Sequence, residues 1–189
     1  MRPALALLEF DSVARGIEAG DQMVKRAPIE VIRTGTVQPG KYLVLVAGEV
    51  ADVEEAVEAG RAVATTVDVV FLPDVHPDVA AAVKGVRRTG GGEALGIIET
   101  RTVAAVIQAA DAGVKGAKVT LLELRMADGL GGKGYLLFQG PVAEVQAAVE
   151  IGSASVADSV ISVVIPQLHP EMGDNLFAAA RFADRVDKE

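Results

Sequence analysis

The sequence has 189 residues, enough for one large domain or two small ones. Half of the residues are hydrophobic, which excludes an intrinsically disordered chain. The formal net charge is −8 and no run of Lys or Arg exceeds two residues, so the basic surface of a nucleic-acid-binding protein is missing. The sequence contains no cysteine, which excludes disulfides, thiolate nucleophiles and cysteine-held iron–sulfur clusters.

The N-terminal segment does not resemble a signal peptide, because only five apolar residues separate Pro3 from Glu9. The uncharged apolar runs are all much shorter than the roughly 20 residues that a membrane-spanning helix needs. We therefore expect the protein to be located in the cytoplasm.

The hydrophobic pattern of the first half predicts seven elements in chain order. A buried strand containing Glu9 precedes a helix that Asp11 or Ser12 can cap and that Pro28 ends. Two strands joined by a Gln-Pro-Gly turn follow, then an amphipathic helix, a fourth strand and a last helix that begins with a His-Pro pair. The predicted strands are 4–10, 29–37, 41–47 and 67–72, and the predicted helices are 13–26, 50–64 and 76–84.

The second half of the sequence repeats the first. A shift of 90 residues aligns 4–32 with 94–122 and gives 11 identities in 29 positions. A shift of 92 aligns 41–60 with 133–152 and gives 10 identities in 20 positions, and a shift of 93 aligns the only two histidines. These matches indicate an internal duplication whose length differences lie in loops.

The duplication predicts two domains of one fold. We predict a first domain over residues 1–88, a Gly-rich linker over 89–92 and a second domain over 93–189. The stretch 85–92 has the composition of a flexible linker, and residues 177–189 either form a short tail helix or fray. The order β-α-β-β-α-β-α in each domain predicts a ferredoxin-like α/β fold of the α+β type, with helices on one face of a mainly antiparallel sheet.

The segment from Gly129 to Gly134 matches the dinucleotide-binding pattern G-x-G-x-x-G. That pattern requires a helix after the loop, whereas Tyr135 and the residues after it are typical of a strand. The P-loop pattern also fails, since Lys133 is followed by glycine. We interpret these glycines as a loop that closely approaches another backbone, at a symmetry mate or a pore.

Two repeated pairs of polar residues are candidates for chemistry. His76 and His169 each precede a proline at a predicted helix start, and a structural role is favoured over a metal site because further ligands at metal spacing are missing. Glu9 and Glu99 end the first strand of each repeat, where a hydrogen bond to the backbone is favoured over a catalytic pair. The sequence shows no pattern of a nucleophile and its base. We predict no enzyme activity, cofactor or metal.

The motifs of this chain resemble tandem-domain shell proteins of bacterial microcompartments, most closely those of the propanediol-utilisation type. The resemblance extends from residue 4 to residue 172. It rests on segments 94–100, with its counterpart at 4–10, and on 109–115, 126–133 and 140–145.

The resemblance implies a homotrimer, because two fused domains take the place of two subunits of a single-domain hexamer. The implied pseudo-hexameric disc tiles with hexamers and pentamers into a shell that encloses enzymes, and small metabolites cross its central pore. The implied partners are thus other copies of the chain, other shell proteins and enclosed enzymes, without nucleic acid or membrane. By resemblance, Lys25 and Lys115 lie on the tile edge.

The resemblance also places the loops between the second and third strands at the pore. Related proteins with cysteine at the position of Gln38 hold an iron–sulfur cluster on three such cysteines. An amide cannot replace a thiolate ligand, so we predict no cluster and a neutral polar aperture. Related proteins often carry an arginine at the position of Asp74 and Gln167, so we expect a different edge affinity or a different choice of neighbours. The implied pore residues are Thr36, Val37, Gln38, Pro39, Gly40, Asp128, Gly129, Leu130, Gly131 and Gly132.

Two other functions are compatible with duplicated ferredoxin-like domains. A small-molecule-binding regulatory protein, or sensor, would bind an effector at a domain interface and would form no lateral sheets. An isomerase-like enzyme would need a convergent polar pocket, for which the sequence offers few candidate residues.

Overall fold

A computed structural model of the protein describes residues 3–157 and 161–178. The first domain comprises β1 (Ala4–Phe10), α1 (Val13–Arg26), β2 (Val31–Val37), β3 (Lys41–Gly48), α2 (Val50–Val63), β4 (Asp68–Leu72) and α3 (Pro77–Val83). The second comprises β5 (Ala94–Thr100), α4 (Val103–Gly116), β6 (Thr120–Met126), β7 (Gly134–Gly140), α5 (Val142–Ala154), β8 (Ile161–Ile165) and α6 (Pro170–Ala178). The order β-α-β-β-α-β-α is therefore confirmed in both domains. The rest of the proposed tail, 179–189, lies outside the described residues.

Each domain contains one four-stranded antiparallel sheet, in the order β2-β3-β1-β4 and β6-β7-β5-β8. The central strand β1 is buried along its whole length. Helices α1 and α2 cover one face, and a cluster that includes Val70, Val75 and Val79 packs on the other. The alternate β1 residues Ala6 and Leu8 pack beneath α1 and α2, whereas Leu5 and Leu7 face the opposite side. This arrangement confirms the predicted ferredoxin-like α+β fold.

Local capping interactions explain where the helices begin. The Ser12 hydroxyl accepts the backbone N–H of Arg15 at 3.3 Å, and Thr102 caps α4 in the same way. The imidazole Nδ1 of His76 accepts the N–H of Asp78 at 3.2 Å, with Pro77 in the first turn of α3. His76 therefore has the structural role that the sequence favoured.

The two domain cores achieve the same packing with different residues. Met23 of α1 and Val46 of β3 are both fully buried in the first domain. At the equivalent positions the second domain has Gly113 and Phe138, a smaller residue on the helix and a larger one on the strand. A Cβ added to Gly113 would collide with the Phe138 ring, 2.7 Å from its Cε2 and closer still to its Cζ. The glycine thus leaves room for the aromatic side chain.

The exposed stretch between the domains makes hydrogen bonds to β7 near its C-terminal end. The Gly91 N–H donates to the Gln139 side-chain oxygen at 2.8 Å, and the Gln139 amide donates to the Gly92 carbonyl at 3.1 Å. A Cβ on Gly90 would lie 2.8 Å from the Phe177 ring, so glycine permits close contact here. No helix in residues 3–157 and 161–178 is both long and apolar enough to cross a membrane.

Candidate pore loops and assembly surface

The β2–β3 loop and the β6–β7 loop touch each other within one chain. A Cβ on Gly132 would lie 2.9 Å from Pro39 Cδ and 3.1 Å from the Gln38 carbonyl oxygen. Gly132 also has a φ of 86°, in the left-handed region that favours glycine. The close approach of two backbones explains the glycine-rich motif, and the loop continues into β7, where a nucleotide-binding motif needs a helix.

Most of the ten residues named as pore residues are accessible in the single chain. Gly132 is buried between the two loops. It therefore lies beneath the loop corner, the place where the β2–β3 and β6–β7 loops meet, and not on its surface. Two are half-buried, namely Val37 and Leu130. The exposed ones are Thr36, Gln38, Pro39, Gly40, Asp128, Gly129 and Gly131.

A glutamate–lysine pair stands beside the loop corner in each repeat. The Lys41 ammonium lies 3.1 Å from the Glu9 carboxylate, and the Lys133 ammonium lies 2.7 Å from that of Glu99. The Glu9 side chain is fully buried, whereas the Glu99 side chain is 38% exposed. Burial raises the pKa of Glu9 above its usual 4.5, although the Ala104 N–H and Lys41 both act to lower it.

Helix α4 of the second domain forms the interface with the first domain. It packs against the edge strand β4 and against α3, and its apolar residues belong to a cluster that includes Val70 and Val79. Val103 and Ile107 are fully buried there and Val114 is 9% exposed. One continuous core therefore joins the two domains.

Polar contacts at both ends of α4 complete this interface. The Thr102 hydroxyl donates to the Asp68 carboxylate at 2.5 Å at the N-terminal end. Further along the helix, the buried Asp111 carboxylate accepts the backbone N–H of His76 at 2.8 Å. The Lys115 ammonium lies 2.5 Å from Asp111 and donates to the Asp74 carbonyl. Lys115 is thus placed at the junction of the two domains.

Helix α1 presents an exposed copy of the buried face of α4. The equivalents of Val103, Ile107 and Val114 are Val13, Ile17 and Val24, which are 36%, 55% and 43% exposed. Lys25, the equivalent of Lys115, is also exposed and pairs with Asp21 at 2.5 Å. The two lysines predicted at the tile edge therefore have different surroundings in the single chain.

A family model described as the BMC domain matches residues 4–75 and, a second time, residues 94–168. The chain belongs to the BMC domain family. The tandem BMC domains are 40% identical over 177 residues to the bacterial microcompartment shell protein PduT of Citrobacter freundii, covering 91% of this chain and 96% of that protein. The shell protein EutM of Salmonella typhimurium is 39% identical over 83 residues, covering 42% of this chain and 84% of that protein.

A solved structure is similar to the tandem BMC domains over nearly their whole length. The crystal structure of a microcompartment protein from Desulfitobacterium hafniense DCB matches with a TM-score of 0.76 and 38% identity, covering 91% of this chain and 98% of that one. These relatives confirm the prediction that the chain is a structural shell protein of a bacterial microcompartment and not an enzyme. They give no support to the sensor alternative.

Sequence reasoning missed a buried ion pair that anchors the segment between the BMC domains. The Arg87 guanidinium lies 3.0 Å from the carboxylate of Glu123, which is 2% exposed on β6. Burial, and then the charge of Glu123, raises the pKa of the nearby Tyr135 hydroxyl. In the sequence, the adjacent Arg87 and Arg88 lie in a polar, glycine-rich stretch that gives no sign of a buried partner. The signal in the sequence is Glu123, a charged residue between the apolar Leu122 and Leu124 of β6.

No group of three or more potential ligands within 3–157 and 161–178 could hold a metal ion.

Proposed function

We propose that three copies of the chain associate head to tail into a closed pseudo-hexameric ring that tiles into the microcompartment shell. The contact between copies would repeat the contact between the two domains of one chain. The loops that contain Gln38 and Asp128 would meet on the ring axis and line a pore for small polar metabolites.

The exposed apolar face of α1 carries this proposal. Its equivalent on α4 is buried within the chain, so the repeat itself shows what kind of surface covers such a face. Burial of a Val or Ile side chain contributes about 1.5–3 kcal/mol, so three such residues supply a substantial driving force for association.

The second domain offers the complementary surface. In the first domain, Val70 and Val79 contact the α4 cluster and are 2% and 0% exposed. Their counterparts in the second domain, Val163 and Met172, are 45% and 54% exposed. A neighbouring α1 would cover them as α4 covers Val70 and Val79.

One polar contact of the interface also has a counterpart at the exposed surface. Glu9 accepts the N–H of Ala104 across the domain boundary at 2.7 Å. In the proposed ring, the exposed Glu99 of one chain would accept the N–H of Ala14 of the next. A surface that joins a different surface of the next copy gives a closed ring when the rotation closes, and three two-domain chains give six equivalent contacts.

The exposed residues at the loop corner favour a neutral polar aperture. The Gln38 side chain offers amide donors and a carbonyl acceptor, and three copies would form a ring of such groups. Because an amide does not ligate iron as a thiolate does, we propose no cluster in this pore. Solute flux into assembled shells that is unchanged by Gln38→Leu would contradict the role of Gln38.

The exposed Lys25 at the end of α1 supports its proposed place at the tile edge, where the ring would contact other shell proteins. Lys115 has a second role here, because it already binds Asp111 and Asp74 within the chain. We propose that the assembled shell lies in the bacterial cytoplasm and encloses enzymes.

The solution mass of the chain, measured by light scattering after size exclusion, tests the ring. We expect a mass of three chains for the wild type and of one chain for Ile17→Asp, with an unchanged circular dichroism spectrum. Val86→Asp is the control, because Val86 is 50% exposed but lies in the segment between the domains. A monomeric wild type, or an Ile17→Asp variant that remains trimeric, would contradict the proposal.

A further inference from the structure

The sheet face of the first domain that lies opposite α1 and α2 forms an open groove. The half-buried Leu43 and Leu45 of β3 form its floor, beside Leu5 and Leu7 of β1, which are only 4% and 2% exposed. The cavity has a volume of about 890 Å³, within the range of about 300–1,000 Å³ that small-molecule sites occupy. Because α3 contacts β6 within the chain, the proposed ring would place α6 of a neighbouring copy against β2, at one edge of this groove. The site is therefore argued from the single chain.

The corresponding face of the second domain is filled by the chain itself. Leu95 and Leu137 form an apolar cluster there with Leu176 and Phe177 of α6. Arg87 reaches across the same face to the buried carboxylate of Glu123. In the second domain this face is thus covered by apolar side chains and by a charged group, Arg87, whose sign is opposite to that of Glu123 on the strand.

The charge on the strand is reversed in the first domain. Arg33 pairs with Leu45 in the β2–β3 register, as Glu123 pairs with Leu137 in the β6–β7 register, so Arg33 occupies the position of Glu123. Lys84 takes the position of Phe177 when the repeats are aligned. The groove therefore has two cations where the second domain has a carboxylate and an aromatic ring.

Neither cation has an ion-pair partner within residues 3–157 and 161–178. The Arg33 guanidinium donates at 2.9 Å to the carbonyl of Ile32 and is otherwise exposed. A planar guanidinium binds a carboxylate through two parallel hydrogen bonds, a geometry that a carbonyl does not use fully.

Two carboxylates at the ends of the groove restrict the charge of its occupant. Glu30 precedes β2 and Asp128 lies in the loop beyond its far end. Glu30 is three residues from Arg33, which corresponds to about 10 Å along a strand. A second negative charge on the ligand would approach one of these carboxylates, so a single negative charge fits best.

We propose that this groove binds a small amphiphilic monocarboxylate. Its carboxylate would bind Arg33, with Lys84 adding positive charge, and its apolar body would cover Leu43 and Leu45, beside Leu5 and Leu7.

Octanoate is the probe, titrated into the full chain by isothermal calorimetry with leucine-methyl NMR to locate the site. We expect saturable binding of one octanoate per chain, and no saturation with acetate, which lacks the apolar body. Octan-1-ol has the same body without the charge and should bind about tenfold more weakly, since a hydrogen bond to a charged group contributes about 1.5–3 kcal/mol.

Three variants test the assigned residues. Arg33→Gln should weaken octanoate about tenfold or more, and Arg33→Glu should prefer octylamine because it restores the charge of the second domain. Gly35→Leu should block the groove, since nothing lies within 4 Å of a Cβ at this position. Arg61→Gln, on α2 across the sheet, is the control and should bind octanoate like the wild type.

Octanoate binding of equal strength in the wild type and Arg33→Gln would overturn the proposal. Equal affinity for octanoate and octan-1-ol would do the same, as would the absence of saturable binding at millimolar concentration. Circular dichroism of each variant shows that a loss of binding is not a loss of folding.

Discussion

The Glu9 carboxylate of the first domain accepts the backbone N–H of Ala104 in the second domain at 2.7 Å, with Lys41 on its other oxygen at 3.1 Å. This carboxylate is completely buried at the junction of the two domains. A charged group in such a place loses its hydration, and the two donors offset only part of that loss. The strand-end glutamate therefore couples domain packing to pH.

Replacing Glu9 with glutamine tests this coupling. Because burial raises the pKa of Glu9 above its usual 4.5, the contribution of Glu9 to stability is largest at low pH and is lost as the pH rises through the raised pKa. Glutamine keeps the acceptor for Ala104 and does not titrate. We expect the melting temperature of the wild type to fall relative to that of Glu9→Gln as the pH rises from 4.5 towards neutrality.

The exposed counterpart provides the matched control for this experiment. Glu99→Gln also removes a strand-end carboxylate with a lysine partner, but at a position that is 38% exposed. A pH trend of equal size in both variants would contradict the assignment of the effect to burial.

The first domain has Met23 and Val46 where the second has Gly113 and Phe138. We therefore expect the effects of substitutions at residues 113 and 138 on stability to be strongly coupled. Gly113→Met should destabilise the second domain by about 1–3 kcal/mol through overpacking, and Phe138→Val by about 3 kcal/mol through the cavity it leaves. The double variant recreates the Met–Val pair of the first domain, Met23 with Val46. We expect it to recover much of the loss, as a coupling of about 1–3 kcal/mol in a double-mutant cycle.

Chemical denaturation of the four proteins measures this coupling. The reverse pair, Met23→Gly with Val46→Phe, provides an independent cycle in the first domain. If the losses of unfolding free energy simply add in both domains, the Met–Val and Gly–Phe pairs are not interchangeable.

The duplication made the fold predictable, because matching apolar patterns at shifts of 90 and 92 residues determine the same elements twice. Properties that depend on contacts between elements were not predictable in the same way. Glycine composition suggests flexibility, yet Gly90 and Gly92 are packed against Gln139. Likewise, Lys25 and Lys115 each follow Asp-x-x-Val in the sequence, and the domain junction distinguishes their surroundings. The meeting of Gly132 with Pro39 also joins residues far apart in the chain.

The two lysines should respond differently to truncation. Lys25 is paired with Asp21 in an i,i+4 pair that is exposed in the single chain and contributes at most about 0.5 kcal/mol, so Lys25→Ala should leave the fold of the chain stable. If Lys25 lies at the tile edge, this variant should form fewer or smaller sheets in electron micrographs. Lys115→Ala removes bonds to Asp111 and Asp74, and it should lower the stability of the chain by about 1–2 kcal/mol.

Sheet formation by Lys25→Ala that equals the wild type would contradict the edge assignment. A Lys115→Ala variant as stable as Lys25→Ala would contradict the structural role of Lys115. Light scattering of both variants separates a loss of sheets from a loss of the ring.

A single cysteine at position 38 tests whether the loop corner lies on a threefold axis. The chain contains no cysteine, so in Gln38→Cys any disulfide must join two chains. Thiols of neighbouring loops near an axis can approach to disulfide distance, and two of the three can pair. We expect rapid conversion to a covalent dimer with one thiol left per trimer under mild oxidation, measured by non-reducing electrophoresis and thiol titration. Arg61→Cys, on the exposed side of α2, is the control for random collision, and equal rates in both variants would place the corner away from the axis.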